Sequence, residues 1–241
     1  MTSLTFTRYE LVRTFRNKRF FIFSLIFPLV MFVAIGGGNR DVEIVPGVSF
    51  IEYYMVGMAG WGAMMAVLAA GARISTERDA GWVRALRLTP LSVRSYIRAK
   101  LVTGYTMAAL SIVLLYVAGL VLGVRFPAGQ WLQMTGLVLV GLIPMAIFGI
   151  LIGHLISPDS IGPVMGGVGS LFALLGGAWF LPTGLLSTLG QLLPSYWLCQ
   201  AGRLSIAGES WPAKGWVVVA IWTVALTVLA ASAYRRGEQH G

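Results

Sequence analysis

Residues 73–100 read RISTERDAGWVRALRLTPLSVRSYIRAK, and the fold turns on how that stretch is read. Seven cations (Arg73, Arg78, Arg84, Arg87, Arg94, Arg98 and Lys100) stand there against two acids, Glu77 and Asp79. On both sides the chain passes into long apolar runs free of Asp, Glu, Lys and Arg. A charged island between two membrane-length stretches is either a solvated connection or a surface built to be gripped.

The rest of the chain sets the medium. Hydrophobic residues make up 57% of the 241 positions and charged residues 11%, with mean hydropathy +0.79. A soluble domain carries about 25% charged residues, so this is an integral membrane protein. Its net charge of +9 does not point to nucleic acid, because the cations flank apolar runs, as cations facing the cytoplasm and anionic lipid do. Cys199 is the single cysteine, which excludes an internal disulfide and any Cys-rich metal site.

Working outward from the island, apolar length predicts an all-α integral membrane protein with six transmembrane helices in one domain, 1–241. The spans fall at about 20–38, 51–72, 101–124, 132–156, 161–180 and 215–234. Residues 2–19 place Leu4, Leu11, Val12 and Phe15 on one side of a helix, with Glu10, Arg13, Arg16 and Asn17 elsewhere. That pattern predicts an amphipathic helix lying in the membrane interface. Pro28 should kink the first span and Pro144 should break the fourth. Gly57, Gly60, Gly62, Ala63, Ala66 and Ala70 in the second span, and Gly162, Gly166, Gly167, Gly169, Gly176 and Gly177 in the fifth, suit close helix approach. His154, at a span end, reads as structural. Residues 181–214 are too apolar for an open loop. Pro182, Gly184, Gly190, Pro194 and Gly202 break them too often for a straight span, so a re-entrant pair of short helices is expected.

Charge sets the orientation. The N-terminal segment, the island and the tail hold fourteen Lys and Arg, against four on the other side (Arg40, Arg125, Arg203 and Lys214). Both termini and 73–100 are therefore expected in the cytoplasm of a bacterial cell whose cytoplasmic membrane the chain crosses.

Catalytic patterns are missing from the sequence. It has no GxxxxGK[ST] phosphate loop, no HExxH and no GxSxG. The cores of the spans lack ionisable acids and bases, which speaks against an ion-coupled secondary transporter. A membrane-embedded enzyme or scaffold should show converging polar residues. Work done on a substrate must then enter from the cytoplasmic side. Glu77–Leu88 can form a short helix with Trp82, Ala85 and Leu86 on one face and Arg84 and Arg87 on another. Thr89-Pro90 stops it, and Ser92 can cap the helix that follows.

Residues 77–91, ERDAGWVRALRLTPL, with Lys100 entering the next span, resemble the signature of the ABC type-2 permease family. Residues 174–182, LLGGAWFLP, with Leu193-Pro194-Ser195-Tyr196 and Arg203 beyond, are similar to that family's fifth-span exit. One departure is Gly81-Trp82, where Gly-Thr is common. The resemblance implies the transmembrane subunit of a drug- or antibiotic-exporter-like ATP-binding cassette system, paired as a dimer. It implies no catalytic site and no cofactor on this chain, ATP and Mg being held by separate ATPase subunits. It places the ATPase contact at Glu77, Arg78, Gly81, Trp82, Arg84, Leu86, Thr89 and Pro90. The second and fifth spans would line the pathway, making Met58, Trp61, Met65, Phe172 and Trp179 candidates for a hydrophobic drug, antibiotic or lipid substrate.

Overall fold

In the computed structural model of the chain, residues 3–40, 42–45, 47–82, 89 and 91–239 are described. The second-span helix, which we call α3 (Phe50–Ala72), is the axis on which the other elements pack, and it is buried around nearly its whole circumference. Its start is local: Glu52 accepts from the Ser49 N–H at 2.9 Å and from Ser49 Oγ at 2.8 Å, which ties down an orphan donor at the helix entrance. Small residues then let neighbours reach the α3 backbone, as their spacing predicts. A Cβ on Gly62 would stand 2.5 Å from Ser111 Oγ and 3.1 Å from Pro28 Cγ. A Cβ on Gly71 would fall on the backbone of Gly149, and one on Gly149 would lie 2.5 Å from the Leu68 carbonyl. In lipid, where no water drives helices together, such close packing holds a bundle.

Two elements precede α3. Helix α1 (Ser3–Phe15) is followed by a helical run, α2, built from Lys18–Phe21, π-helical Ile22–Ile26, Phe27–Met31 and π-helical Phe32–Gly36. Pro28 has no N–H to offer the Ser24 carbonyl. Ser111 Oγ of a neighbouring helix donates to that carbonyl at 3.2 Å instead, and the run widens on either side of Phe27–Met31. Five of the six expected spans coincide with helices of membrane-crossing length. Among the described residues, five helices are long and apolar enough to cross a membrane: Phe50–Asp79, Val93–Val121, Ala128–Leu155, Pro158–Gly176 and Ala213–Tyr234. The first apolar stretch, Ser24–Gly36, is shorter. A second departure from an all-α chain is a small antiparallel hairpin, β1 (Glu43–Val45) with β2 (Val48–Ser49).

After α3, a short helix α4 (Ile74–Asp79) continues its line. Helix α5 (Val93–Val121) begins where Ser92 Oγ accepts the Ser95 N–H at 3.3 Å, so Ser92 is the cap its sequence suggested. Helix α6 (Ala128–Leu155) starts four residues before the expected 132 and runs unbroken through Pro144. The expected break does not occur because a proline frees only one backbone bond, and buried packing holds the helix around it. Helix α7 (Pro158–Gly176) ends at Gly177, whose φ of +74° makes the left-handed exit a glycine takes most readily.

The following stretch is a helical hairpin, α8 (Gly184–Gly190) and α9 (Pro194–Ile206). Its tip carbonyls are satisfied by indoles: Trp197 Nε1 donates to Gln191 O at 3.0 Å and Trp222 Nε1 to Leu192 O at 2.8 Å. Leu198 of α9 lies against both Gly60 of α3 and Gly141 of α6. The last helix, α10 (Ala213–Gln239), exposes most of its apolar surface. Its Tyr234 ring lies 5.8 Å from that of His154 at the end of α6. The end of α10, the end of α6, α4 and α1 thus share one end of the bundle.

Candidate functional site

That shared end carries the charged segment, and the structure treats its two ends differently from its middle. Arg73–Asp79 belong to helices continuous with the second span, and Val93–Lys100 form the first turns of α5. Only residues 80–92 connect them.

At the centre of the assembly is Glu77, 1% exposed. Its Oε1 accepts from Lys100 Nζ at 2.5 Å and from Arg13 Nη1 at 2.8 Å. Its Oε2 accepts from the Tyr96 hydroxyl at 2.5 Å. Lys100, 2% exposed, also donates to Glu10 Oε1 at 2.5 Å, and Glu10 is 1% exposed. Two buried carboxylates thus meet one buried ammonium and one half-exposed guanidinium, which balances the charge. Such a cluster is stable only while every member is present, because a buried ion left without its partner keeps its desolvation cost. Around it, Arg73 Nη1 donates to Thr14 Oγ1 at 2.7 Å and Ser75 Oγ to the Ile156 carbonyl at 2.5 Å. Arg78 Nη1 donates to the His154 carbonyl. Phe6, fully buried, packs on the Tyr96 ring at 5.9 Å beside Ile74, Ala99 and Ile150.

Three elements meet here through residues spaced by four: Phe6, Glu10 and Thr14 on α1; Arg73 and Glu77 at the start of α4; Tyr96 and Lys100 on α5. That spacing places each set on one helix face. Sequence reasoning missed Glu10, Arg13, Thr14, Tyr96 and Arg73 as members of one network. The signal was present as those spacings and as a lone acid in a basic N-terminal segment. Helix α1 has the apolar face expected of it, with Leu4, Val12 and Phe15 exposed. Its opposite face, with Phe6, Glu10 and Thr14, is docked on protein.

The site residues drawn from the sequence are divided by this geometry. Glu77 faces inward and presents no carboxylate to a partner. Arg78, Asp79, Ala80, Gly81 and Trp82 are exposed. The expected helix over Glu77–Leu88 is corrected in its first half, because α4 ends at Asp79 and Gly81 takes a φ of +69° that no helix continues through. Among the described residues nothing lies within 4 Å of where a Gly81 Cβ would be, so it is the backbone conformation that favours glycine there. Trp82 stacks on Tyr9 of α1 with ring centres 6.5 Å apart. Thr89 Oγ1 accepts the Leu91 N–H at 3.4 Å. Arg84, Leu86 and Pro90 lie outside the described residues.

The pathway candidates come together at the α3–α7 contact. Trp61 Nε1 donates to the Gly169 carbonyl at 3.1 Å, and its ring lies 6.0 Å from that of Trp179. A Cβ on Gly169 would be 2.9 Å from Met65 Sδ. Phe172, one turn further along α7, pairs with Phe148 of α6 at 6.0 Å. Met58 is wholly buried in the same core. Of the α7 glycines, Gly169 and Gly176 meet neighbours, whereas Gly162, Gly166 and Gly167 have nothing within 4 Å.

The sequence model of a family described as "ABC-2 family transporter protein" matches residues 46–233. A Bacillus subtilis (strain 168) protein named "Putative transport permease YvfS" is 26% identical over 236 residues, covering 95% of each chain.

Proposed function

The chain belongs to the ABC-2 family of transporter proteins, and we propose that it is the membrane subunit through which a separate ATP-binding cassette ATPase drives export. In this reading it acts as a dimer in a bacterial cytoplasmic membrane, with both termini and the charged segment in the cytoplasm. ATP and Mg bind to the ATPase, and this chain contributes no catalytic residue. The observation that carries the reading is the clamp on the charged segment. Ion pairs from α1 and α5 fix the buried Glu77, while the residues just beyond it are exposed, Asp79, Ala80 and Gly81 most freely, with Arg78 reaching the His154 carbonyl and Trp82 stacked on Tyr9. A lever of this kind has a rigid root and an exposed head.

The division of labour follows. Glu77 acts as a positioning residue inside the clamp. Arg78, Gly81, Trp82, Arg84, Leu86, Thr89 and Pro90 form the head that an ATPase would grip. A push on that head reaches α3 and α5 together, because Glu77 and Lys100 tie the two helices at 2.5 Å. Substrate passage along Met58, Trp61, Met65, Phe172 and Trp179 then requires α3 and α7 to part, which breaks the bond from Trp61 to the Gly169 carbonyl. The open face of α7 at Gly162, Gly166 and Gly167 suits the approach of a second copy. The apolar and aromatic character of the pathway favours a hydrophobic drug, antibiotic or lipid, which would make the system a multidrug-efflux or antibiotic-resistance exporter.

The test is reconstitution of the chain with a candidate ATP-binding cassette ATPase from the same genome, in proteoliposomes loaded with ATP. Export of an apolar dye should need both subunits and ATP, and Leu86→Asp should abolish it while leaving membrane insertion intact. Equal export driven by a proton gradient without the ATPase would overturn the reading.

A further inference from the structure

Arg203 of α9 lies towards the other end of the bundle and is matched by no acid among the described residues. Its guanidinium carbon stands 3.7 Å from the centre of the Tyr53 ring, and Nη2 donates to the Gly177 carbonyl. Nε and Nη1 are buried and meet no acceptor among the described residues. The ion pairs among those residues leave Arg203 out.

The surroundings of this cation are built rather than accidental. Ser195, Cys199 and Arg203 are spaced by four and share one face of α9. That face looks onto Gly57 of α3, whose carbonyl is 4.0 Å from Cys199 Sγ. It also looks onto the α7 exit. A Cβ on Gly176 would lie 3.3 Å from Ser195 Cβ, and one on Gly177 would lie 3.1 Å from Arg203 Nη1. Ser195 Oγ and, two residues past the exit, Trp179 Nε1 are likewise buried without a partner. Immediately beyond, Phe180, Leu181 and Leu185 expose large apolar side chains.

A cation removed from water without a counter-charge is costly, and one aromatic face with one carbonyl offsets only part of that. What the site offers are donors: two guanidinium nitrogens, a hydroxyl and an indole N–H, on a positive centre. The chemical complement is an anion with several acceptor oxygens. The apolar strip beside it suits a hydrocarbon tail. We propose that Arg203, with Ser195 and Trp179, binds the acidic head group, carboxylate or phosphate, of an amphiphile whose tail lies along Phe180, Leu181 and Leu185. This refines the substrate class proposed above, yet it concerns binding to this chain alone. Failure of ATP-driven export would leave it standing.

The experiment uses the full chain in phosphatidylcholine nanodiscs, titrated with oleate and, as the neutral counterpart, oleyl alcohol, with Tm as the readout. Oleate should raise Tm saturably, as a ligand of the folded state does, and oleyl alcohol should not. Arg203→Met should remove the oleate shift. Arg203→Lys keeps the charge but not the planar donor set, and should weaken oleate by about tenfold or more. Nanodiscs containing phosphatidylglycerol separate the sources. If that lipid raises Tm by itself and blocks the oleate shift, the head group is a lipid's; if it does neither, a free acidic amphiphile is the ligand. Equal responses to oleate and oleyl alcohol, or a full oleate shift in Arg203→Met, would overturn the proposal. Should Arg203→Met not fold, an unchanged oleate affinity in Arg203→Lys has the same force.

Discussion

The two ends of this bundle bury charge by opposite means. At the end shared by α1, α4 and α5, Glu10 and Glu77 are closed in with Lys100 and Arg13, and each carboxylate has a cation within 2.5 Å. Towards the other end Arg203 has a ring face and a carbonyl but no acid. A neutralised cluster fixes geometry, because any movement that separates its members exposes uncompensated charge in a medium that cannot solvate it. A cation with no acid beside it among the described residues is a standing demand for a partner. The first arrangement suits a joint that must transmit force. The second suits a site that must receive something.

The contrast can be broken at Lys100 first. Lys100→Met should cost about 3–5 kcal/mol of stability, since it strands Glu10 and leaves Glu77 with the half-exposed Arg13 alone. The double variant Glu10→Gln/Lys100→Met leaves Glu77 with Arg13 and should recover part of that loss. Unfolding in detergent by a denaturant series measures both, and equal losses in single and double variants would show that the cluster is not one unit. Tyr96→Phe, which removes a hydrogen bond to an ionised group while keeping the ring that packs on Phe6, should cost about 1.5–3 kcal/mol in the same assay. Gly81→Ala should cost about 1–2 kcal/mol through its left-handed backbone alone, with no clash, because the space around it is open. If it costs nothing, the turn after α4 is not held in that conformation. The smallest effect is expected at Arg203. Arg203→Met should leave stability within about 1 kcal/mol of the parent, as removal of an unmatched buried cation offsets the lost ring contact. A loss there as large as at Lys100 would erase the distinction between the two ends.

Much of the frame was legible from residue order. The capping role of Ser92, the small residues that admit neighbours to α3 and the two helices of 184–206 each follow from a local rule. Where the local rules failed, a neighbour had overruled them. Pro144 does not break α6, because buried packing holds what one lost bond loosens. Glu77 was read with the exposed residues that follow it, yet it points inward because Lys100, 23 residues on, offers a cation at 2.5 Å. Helix α1 was read as lying free in the membrane interface because nothing local shows that Lys100 stands against Glu10 and Tyr96 against Phe6. The first apolar stretch was legible as an apolar run, but not its widening on either side of Phe27–Met31, which periodicity does not register.

The sequence by itself therefore determined the medium, the long apolar helices, the charge asymmetry between the two sides and the family, all of which depend on composition, run length and short-range order. Tertiary structure decided which of the charges in residues 73–100 is a root and which a head. Local preference has a range of about one helical turn, whereas the fate of Glu77 depends on Glu10 and Arg13, more than sixty residues away along the chain. A stretch that reads as one charged island has two anchored ends, Arg73–Glu77 and Tyr96–Lys100. The buried carboxylate at one end, not the basic residues that first draw notice, holds it in place.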